Sequence, residues 1–124
     1  MSKADINSYR DLLVWQKAMD LAVLCYALTR RFPREETFGL TSQIRRASSS
    51  IAANIAEGHG RDSSGAFVQF LRIAQGSLKE TETHLLLSER VNLLKTEQLA
   101  EAMTACDNIG RMLRSLIRTL QDKQ

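Results

Sequence analysis

Residues 96–121 read TEQLAEAMTACDNIGRMLRSLIRTLQ. Within them Leu99, Ala102, Cys106, Ile109, Leu113, Leu116 and Leu120 recur at intervals of three and four. That is the period at which side chains stack on one face of an α-helix. The remaining positions are mostly polar, charged or small, so the stretch predicts an amphipathic helix opened by Thr96 and Glu97. Nothing in it alternates with the period of two that a half-buried strand requires.

The same period runs upstream. Phe67, Phe70, Leu71, Ala74, Leu78, Thr81 and Leu85 form the stripe of a preceding helix. Asp62 or Ser63 caps it, it continues to about Arg90, and Asn92 is its stop. Before that, a helix starting between Glu35 and Thr41 carries Leu40, Ile44, Ala47, Ile51 and Ile55 as its core row. Gly58 and Gly60 read as its stop signals. The first helix is expected from a cap at Asp11 to about Arg31, ahead of the sole proline, Pro33. It shows two apolar stripes: Trp15, Met19, Ala22, Cys25 (or Tyr26) and Thr29 on one side, and Val14, Leu21, Leu24 and Leu28 on another. A helix apolar on two sides must be covered on two sides.

Short connections between four long helices predict an all-α fold, an antiparallel up-and-down four-helix bundle over residues 11–121, preceded by a flexible segment at 1–10. The 124 residues suit one domain, and 44% hydrophobic with 25% charged residues is ordinary globular composition. Residues 1–10 lack the apolar core of a secretory signal, and Leu21 to Leu28 is too short to span a bilayer. No membrane association is expected. Cys25 and Cys106 fall on apolar faces outside any metal or redox spacing, as reduced core thiols of a cytoplasmic protein.

Motifs for catalysis are missing from the sequence: no glycine-rich phosphate loop, nucleophile elbow or zinc-protease signature occurs. With two histidines, His59 and His84, a dinuclear carboxylate–histidine centre lacks its ligands. The expectation is a non-enzyme with no cofactor and no metal. Two polar rows remain. On the second helix Gln43, Arg46, Ser50, Asn54 and Glu57 share a face, and on the third Arg72, Gly76, Ser77, Glu80 and His84 answer them. Buried polar groups need hydrogen-bond partners, so Gln43, Ser50, Asn54, Glu57, Ser77 and Glu80 are expected to form a network between helices or between subunits.

Twelve arginines against five lysines give a net charge of +3 and a pI near 9.1. Arg30, Arg31 and Arg34 bracket Pro33; Arg45 and Arg46 are adjacent on the second helix; Arg111, Arg114 and Arg118 share a face of the fourth. The last group complements a helix C-terminus. Arg45 and Arg46 sit in an N-terminal half, where they need Glu57, Glu80 or an anionic ligand. Only seven aromatics occur, and most read as core instead of as the interleaved stacking residues of a single-strand binder. Nucleic-acid binding would therefore rest on backbone charge with little base readout.

Several of these segments together resemble a known pattern: Leu13-Val14-Trp15-Gln16-Lys17-Ala18, Phe32-Pro33, Gly39-Leu40, Gln43-Ile44-Arg45-Arg46-Ala47, Ser50-Ile51, Asn54-Ile55-Ala56-Glu57-Gly58, and Phe70-Leu71 with Ala74, Gly76-Ser77 and Glu80. The chain is similar to the four-helix-bundle proteins of the 23S rRNA-intervening sequence family, to which the accessory variability determinant of diversity-generating retroelements is related. The resemblance covers roughly residues 9–120. It implies a bundle that assembles as a ring, typically a homopentamer with a central channel, and a nucleic-acid or ribonucleoprotein role. The positions it carries over are Gln43, Arg45, Arg46, Ser50, Asn54, Glu57 and Glu80, with no catalytic role. Two functions are thus expected as alternatives. The first is an oligomer that binds RNA or DNA backbone through Arg45 and Arg46, with Arg30, Arg31, Arg34 and Arg72 nearby. The second is an adaptor ring that binds a protein partner and no nucleic acid.

Overall fold

The computed structural model describes residues 7–123. Four α-helices make up nearly all of it: α1 (Leu13–Thr29), α2 (Leu40–His59), α3 (Ser64–Arg90) and α4 (Thr96–Asp122), with 3-10 turns at Tyr9–Asp11 and Arg34–Glu36. No strand occurs among the described residues. Each helix packs on the next and α4 packs on α1, so the contacts close a circuit around one core.

Residues 1–6 of the segment expected to be flexible lie outside the described residues. From Ser8 the chain turns into the 3-10 helix, and Asp11 belongs to that turn. Its carboxylate accepts from the backbone N–H of Asn7 at 2.9 Å and of Ser8 at 3.1 Å. The expected cap on α1 is therefore corrected: Asp11 faces backwards, and Leu12, the residue at the helix start, offers no side-chain bond. The turn is nevertheless tied to α1. Gln16 donates to the Arg10 carbonyl at 2.9 Å, and the Tyr9 and Trp15 rings meet edge to face at 5.3 Å.

Glu36, in the α1–α2 connection, accepts from the Leu40 backbone N–H at 3.1 Å and so satisfies one open donor of α2. At α3 the cap is Ser63, whose hydroxyl accepts from Ala66 N–H at 3.1 Å. Asn92 ends the α3 exit in the left-handed region, φ 66°. There the N–H groups of Leu93 and Leu94 return to the Ser88 carbonyl.

The core is aliphatic. Leu21, Ile44, Ile51, Ile55, Leu71, Leu78, Leu85, Ile109 and Leu113 are its largest fully buried side chains. Each such side chain contributes about 1.5–3 kcal/mol by leaving water. Phe67 and Phe70, expected in the α3 core row, are only half-buried, and Val68 lies inside instead. Three buried hydroxyls are satisfied within their own helices: Thr29 donates to Cys25 O, Thr81 to Ser77 O and Ser88 to His84 O.

Gly58 was read as a stop signal, but α2 continues past it to His59 with Gly60 as the C-terminal cap. It is buried because α3 crosses it closely. An ideal Cβ placed there would lie 2.7 Å from Phe70 Cβ and 2.9 Å from Phe67 Cδ1. Glycine is what lets these two backbones approach.

Candidate functional site

The polar and cationic residues singled out in the sequence gather on the two flanks of α2. Arg45 and Arg46 are neighbours in the chain, and 100° of helical rotation sends them to different partners.

Arg46 crosses to α3. Its guanidinium donates to Gln43 Oε1 at 2.9 Å and forms an ion pair with the Glu80 carboxylate. His84 lies one turn along α3 with Nε2 3.7 Å from the same carboxylate. Its Nδ1 is buried and makes no hydrogen bond among the described residues. A second cluster follows toward the C-terminal end of α2. The Ser50 and Ser77 hydroxyls share a hydrogen bond of 2.9 Å across the helix pair, and Asn54 donates back to Ser50 O and Oγ. The small side chains that admit this bond also hold α2 and α3 close.

The structure thus brings Gln43, Arg46 and Glu80 together, and Ser50, Asn54 and Ser77 together. Glu57 is on the same face but reaches along the chain to Arg61 at 2.9 Å, whose guanidinium covers the Phe70 ring at 4.7 Å. Arg72 joins neither cluster; it is exposed and has no ion pair among the described residues.

On the other flank, Arg45 packs against α1. Its guanidinium carbon sits 4.4 Å from the Tyr26 ring centroid, and Nε donates to Thr29 Oγ1 at 2.9 Å. No carboxylate neutralises it among the described residues. Sequence reasoning asked for an acidic partner or an anion there, and the structure supplies an aromatic face. Spacing could not show this, because Tyr26 was one of two choices for a core position of α1.

Arg30, Arg31 and Arg34 are exposed around the end of α1, and none pairs with a carboxylate among the described residues. The account of Arg111, Arg114 and Arg118 changes. α4 runs to Asp122 and has no basic residue in its last turn, so these arginines lie beyond the reach of its dipole. Arg111 donates to Asn108 Oδ1. Arg111 and Arg114 line a groove of about 180 Å³ with Lys79, Glu82 and Asp107, so it carries both signs of charge.

Both cysteines are buried free thiols. Burial pushes Cys25 up to about 11, and burial together with the charge of Glu82 pushes Cys106 up to about 12. Such thiols are poor nucleophiles. No group of three or more metal-binding side chains occurs among the described residues, and none of their helices is long and apolar enough to cross a membrane.

One apolar surface went unpredicted in its extent. Met19, Val23 and Tyr26, at 41%, 67% and 41% exposure, follow each other along the outer face of α1. With Ala22, Arg30 and Ser49 they line a groove of about 370 Å³. On α3, Ile73, Leu86 and Leu87 are also exposed, as is Val91 just past its end.

Comparison with known proteins agrees with this fold. A family model described as 23S rRNA-intervening sequence protein matches residues 10–115. A crystal structure at 1.70 Å of a protein of unknown function from the S23 ribosomal protein family of Bacteroides thetaiotaomicron is 30% identical to this chain. The alignment covers 85% of this chain and 98% of that one, with a TM-score of 0.76. No curated protein matches the chain.

Proposed function

We infer the function of this chain from a premise that the matched residues establish: it belongs to the 23S rRNA-intervening sequence protein family. The reading is a non-enzymatic assembly subunit, an antiparallel up-and-down bundle that joins copies of itself into a cytoplasmic ring, five by the family resemblance, and serves as a scaffold. One observation carries it. α1 buries Val14, Ala18, Leu21, Cys25 and Leu28 in the core yet leaves Met19, Val23 and Tyr26 in solvent on another side. Contiguous exposed apolar rows mark interaction surfaces. The mass in solution tests this, by light scattering or sedimentation at micromolar concentration. The expected result is a multiple of the 14.0 kDa chain, with five as the ring number. A single-chain mass refutes it.

A second reading, binding of RNA or DNA backbone, rests on a different observation. Arg30, Arg31 and Arg34 crowd one connection, exposed and without carboxylate partners among the described residues. Arg45 and Arg46 contribute less to it, since each is engaged within the chain. Such binding is sequence-independent, and each neutralised DNA phosphate adds about −0.9 to the slope of log K against log salt. Titration of mixed-sequence RNA and DNA across salt concentrations decides it; no binding at low salt removes this reading and leaves the adaptor role.

A further inference from the structure

The α1–α2 connection presents an aromatic side chain to solvent. Phe38 is 95% exposed, and it follows a 3-10 turn that contains Glu35 and Glu36. The connection, residues 30–39, holds three arginines and two glutamates, and the two carboxylates, then Arg34, are the charges nearest Phe38 in the chain. Glu36 is engaged at the start of α2, whereas Glu35 is exposed and makes no ion pair among the described residues. The Glu35 carboxylate and the Phe38 ring thus both stand in solvent.

A complementary hollow lies on the outer side of α1 and α2. The groove of about 370 Å³ has Met19, Ala22, Val23 and Tyr26 as its apolar lining, Arg30 among its walls, and no carboxylate. Arg45, stacked on Tyr26, places a second uncompensated cation at its edge. The hollow is large enough for an aromatic side chain with its flanking backbone, and its cations are opposite in charge to Glu35 beside the Phe38 tip.

We propose, building on the assembly reading above, that Phe38 of one copy seats in the α1–α2 groove of a second copy, with Glu35 facing Arg30 and Arg45. The occupant is this same chain because both halves, apolar tip with acidic flank and apolar hollow with cationic rim, stand uncovered on one subunit. Knob and hollow are different surfaces, and in the proposed ring the contact runs head to tail from copy to copy. Each copy gives one Phe38 and receives one, an arrangement that a ring of copies satisfies all the way round. A buried aromatic at the centre of a small interface, flanked by arginine, is the usual site of concentrated binding energy.

Two single variants separate the halves. Phe38→Ala removes the knob and Val23→Arg fills and charges the hollow. Both positions are exposed, so each variant should melt close to wild type by circular dichroism. In sedimentation, each variant alone is expected to raise the dissociation concentration of the oligomer on the order of a hundredfold. An equimolar mixture of the two is expected to form a one-to-one dimer, because the intact knob of Val23→Arg fits the intact hollow of Phe38→Ala. A mixture that stays monomeric overturns the proposal. So does wild-type assembly persisting in either variant, which would assign Phe38 and the groove to a different partner. A monomeric wild type overturns the assembly reading itself, whereas an oligomeric wild type with unaffected variants overturns this contact alone.

Discussion

Replacing Gly58 by alanine sets two opposing effects against each other at one buried position. Helix propensity alone favours alanine by about 1 kcal/mol. Against it stands the close crossing of α3: the new Cβ would lie 2.7 Å from Phe70 Cβ, 2.9 Å from Phe67 Cδ1 and 3.2 Å from the Phe67 carbonyl oxygen. Carbon atoms pack best at about 3.5–4.0 Å, so α2 and α3 must part locally by roughly 1 Å. Phe70 Cβ and the Phe67 carbonyl are fixed to the backbone and cannot swing aside. Overpacking of this kind costs about 3 kcal/mol, at the upper end of its usual range, leaving a net loss of about 2 kcal/mol. For a chain of this length that lowers Tm by about 8 °C. Gly76 on α3 is the control. A Cβ there meets nothing within 4 Å, so only propensity acts, and Gly76→Ala should raise Tm by about 4 °C. Circular dichroism melts at matched concentration compare the two. A Gly58→Ala protein that melts at or above wild type would refute the close approach.

Two further outcomes follow from the same contacts. Arg46→Ala and Glu80→Ala each cost less than about 1 kcal/mol, because the paired side chains are 57% and 36% exposed and water screens such bonds; a coupling above about 2 kcal/mol in a double-mutant cycle counts against this. The thiols make stability fall in alkali. Both folded-state values, about 11 for Cys25 and about 12 for Cys106, lie above the ordinary 9.0. The native state therefore holds protons that the unfolded chain releases, so the contribution is full below pH 9 and declines as pH rises through 11 and 12. Its slope is at most about 1.4 kcal/mol per pH unit for each thiol. Urea midpoints across that range should show a shallower decline in Cys25→Ala and Cys106→Ala than in wild type; parallel profiles refute it.

Helix number and order were legible because periodicity survives in a single sequence: the row from Leu99 to Leu113 reads the same in the string and in α4. Signals with two physical meanings were not. A glycine near a helix end marks either a cap or a close crossing; Gly60 is the first and Gly58 the second, and only the position of Phe67 and Phe70 on another helix tells them apart. Asp11 could cap forwards or backwards, and the choice fell to Ser8, with which it forms a reciprocal pair. The candidate site was half legible. Arg46 and Glu80 bear opposite charges on facing rows, so their pairing follows from pattern. The stacking of Arg45 on Tyr26 does not, since aromatic residues on α1 read as core. Phe38 escaped for the converse reason, as nothing local distinguishes an exposed phenylalanine from a buried one.

The adjacent arginines bear most directly on what one subunit can bind. Two consecutive residues on a helix diverge by about 100°, and here the divergence is locked: Arg45 is held against α1 by Tyr26 and Thr29, Arg46 against α3 by Glu80. One carries its charge toward the apolar groove, and the other has it neutralised on the opposite flank of α2. A phosphate backbone cannot meet both on one subunit without breaking one arrangement. In the proposed assembly, convergence of these two arginines comes from neighbouring copies, each contributing one flank. Any nucleic-acid affinity of this chain should then rise with assembly, and a Phe38→Ala protein held apart as single subunits should bind RNA more weakly than the wild-type oligomer at the same salt. Equal affinity per subunit would place binding on the Arg30, Arg31 and Arg34 cluster of each single chain.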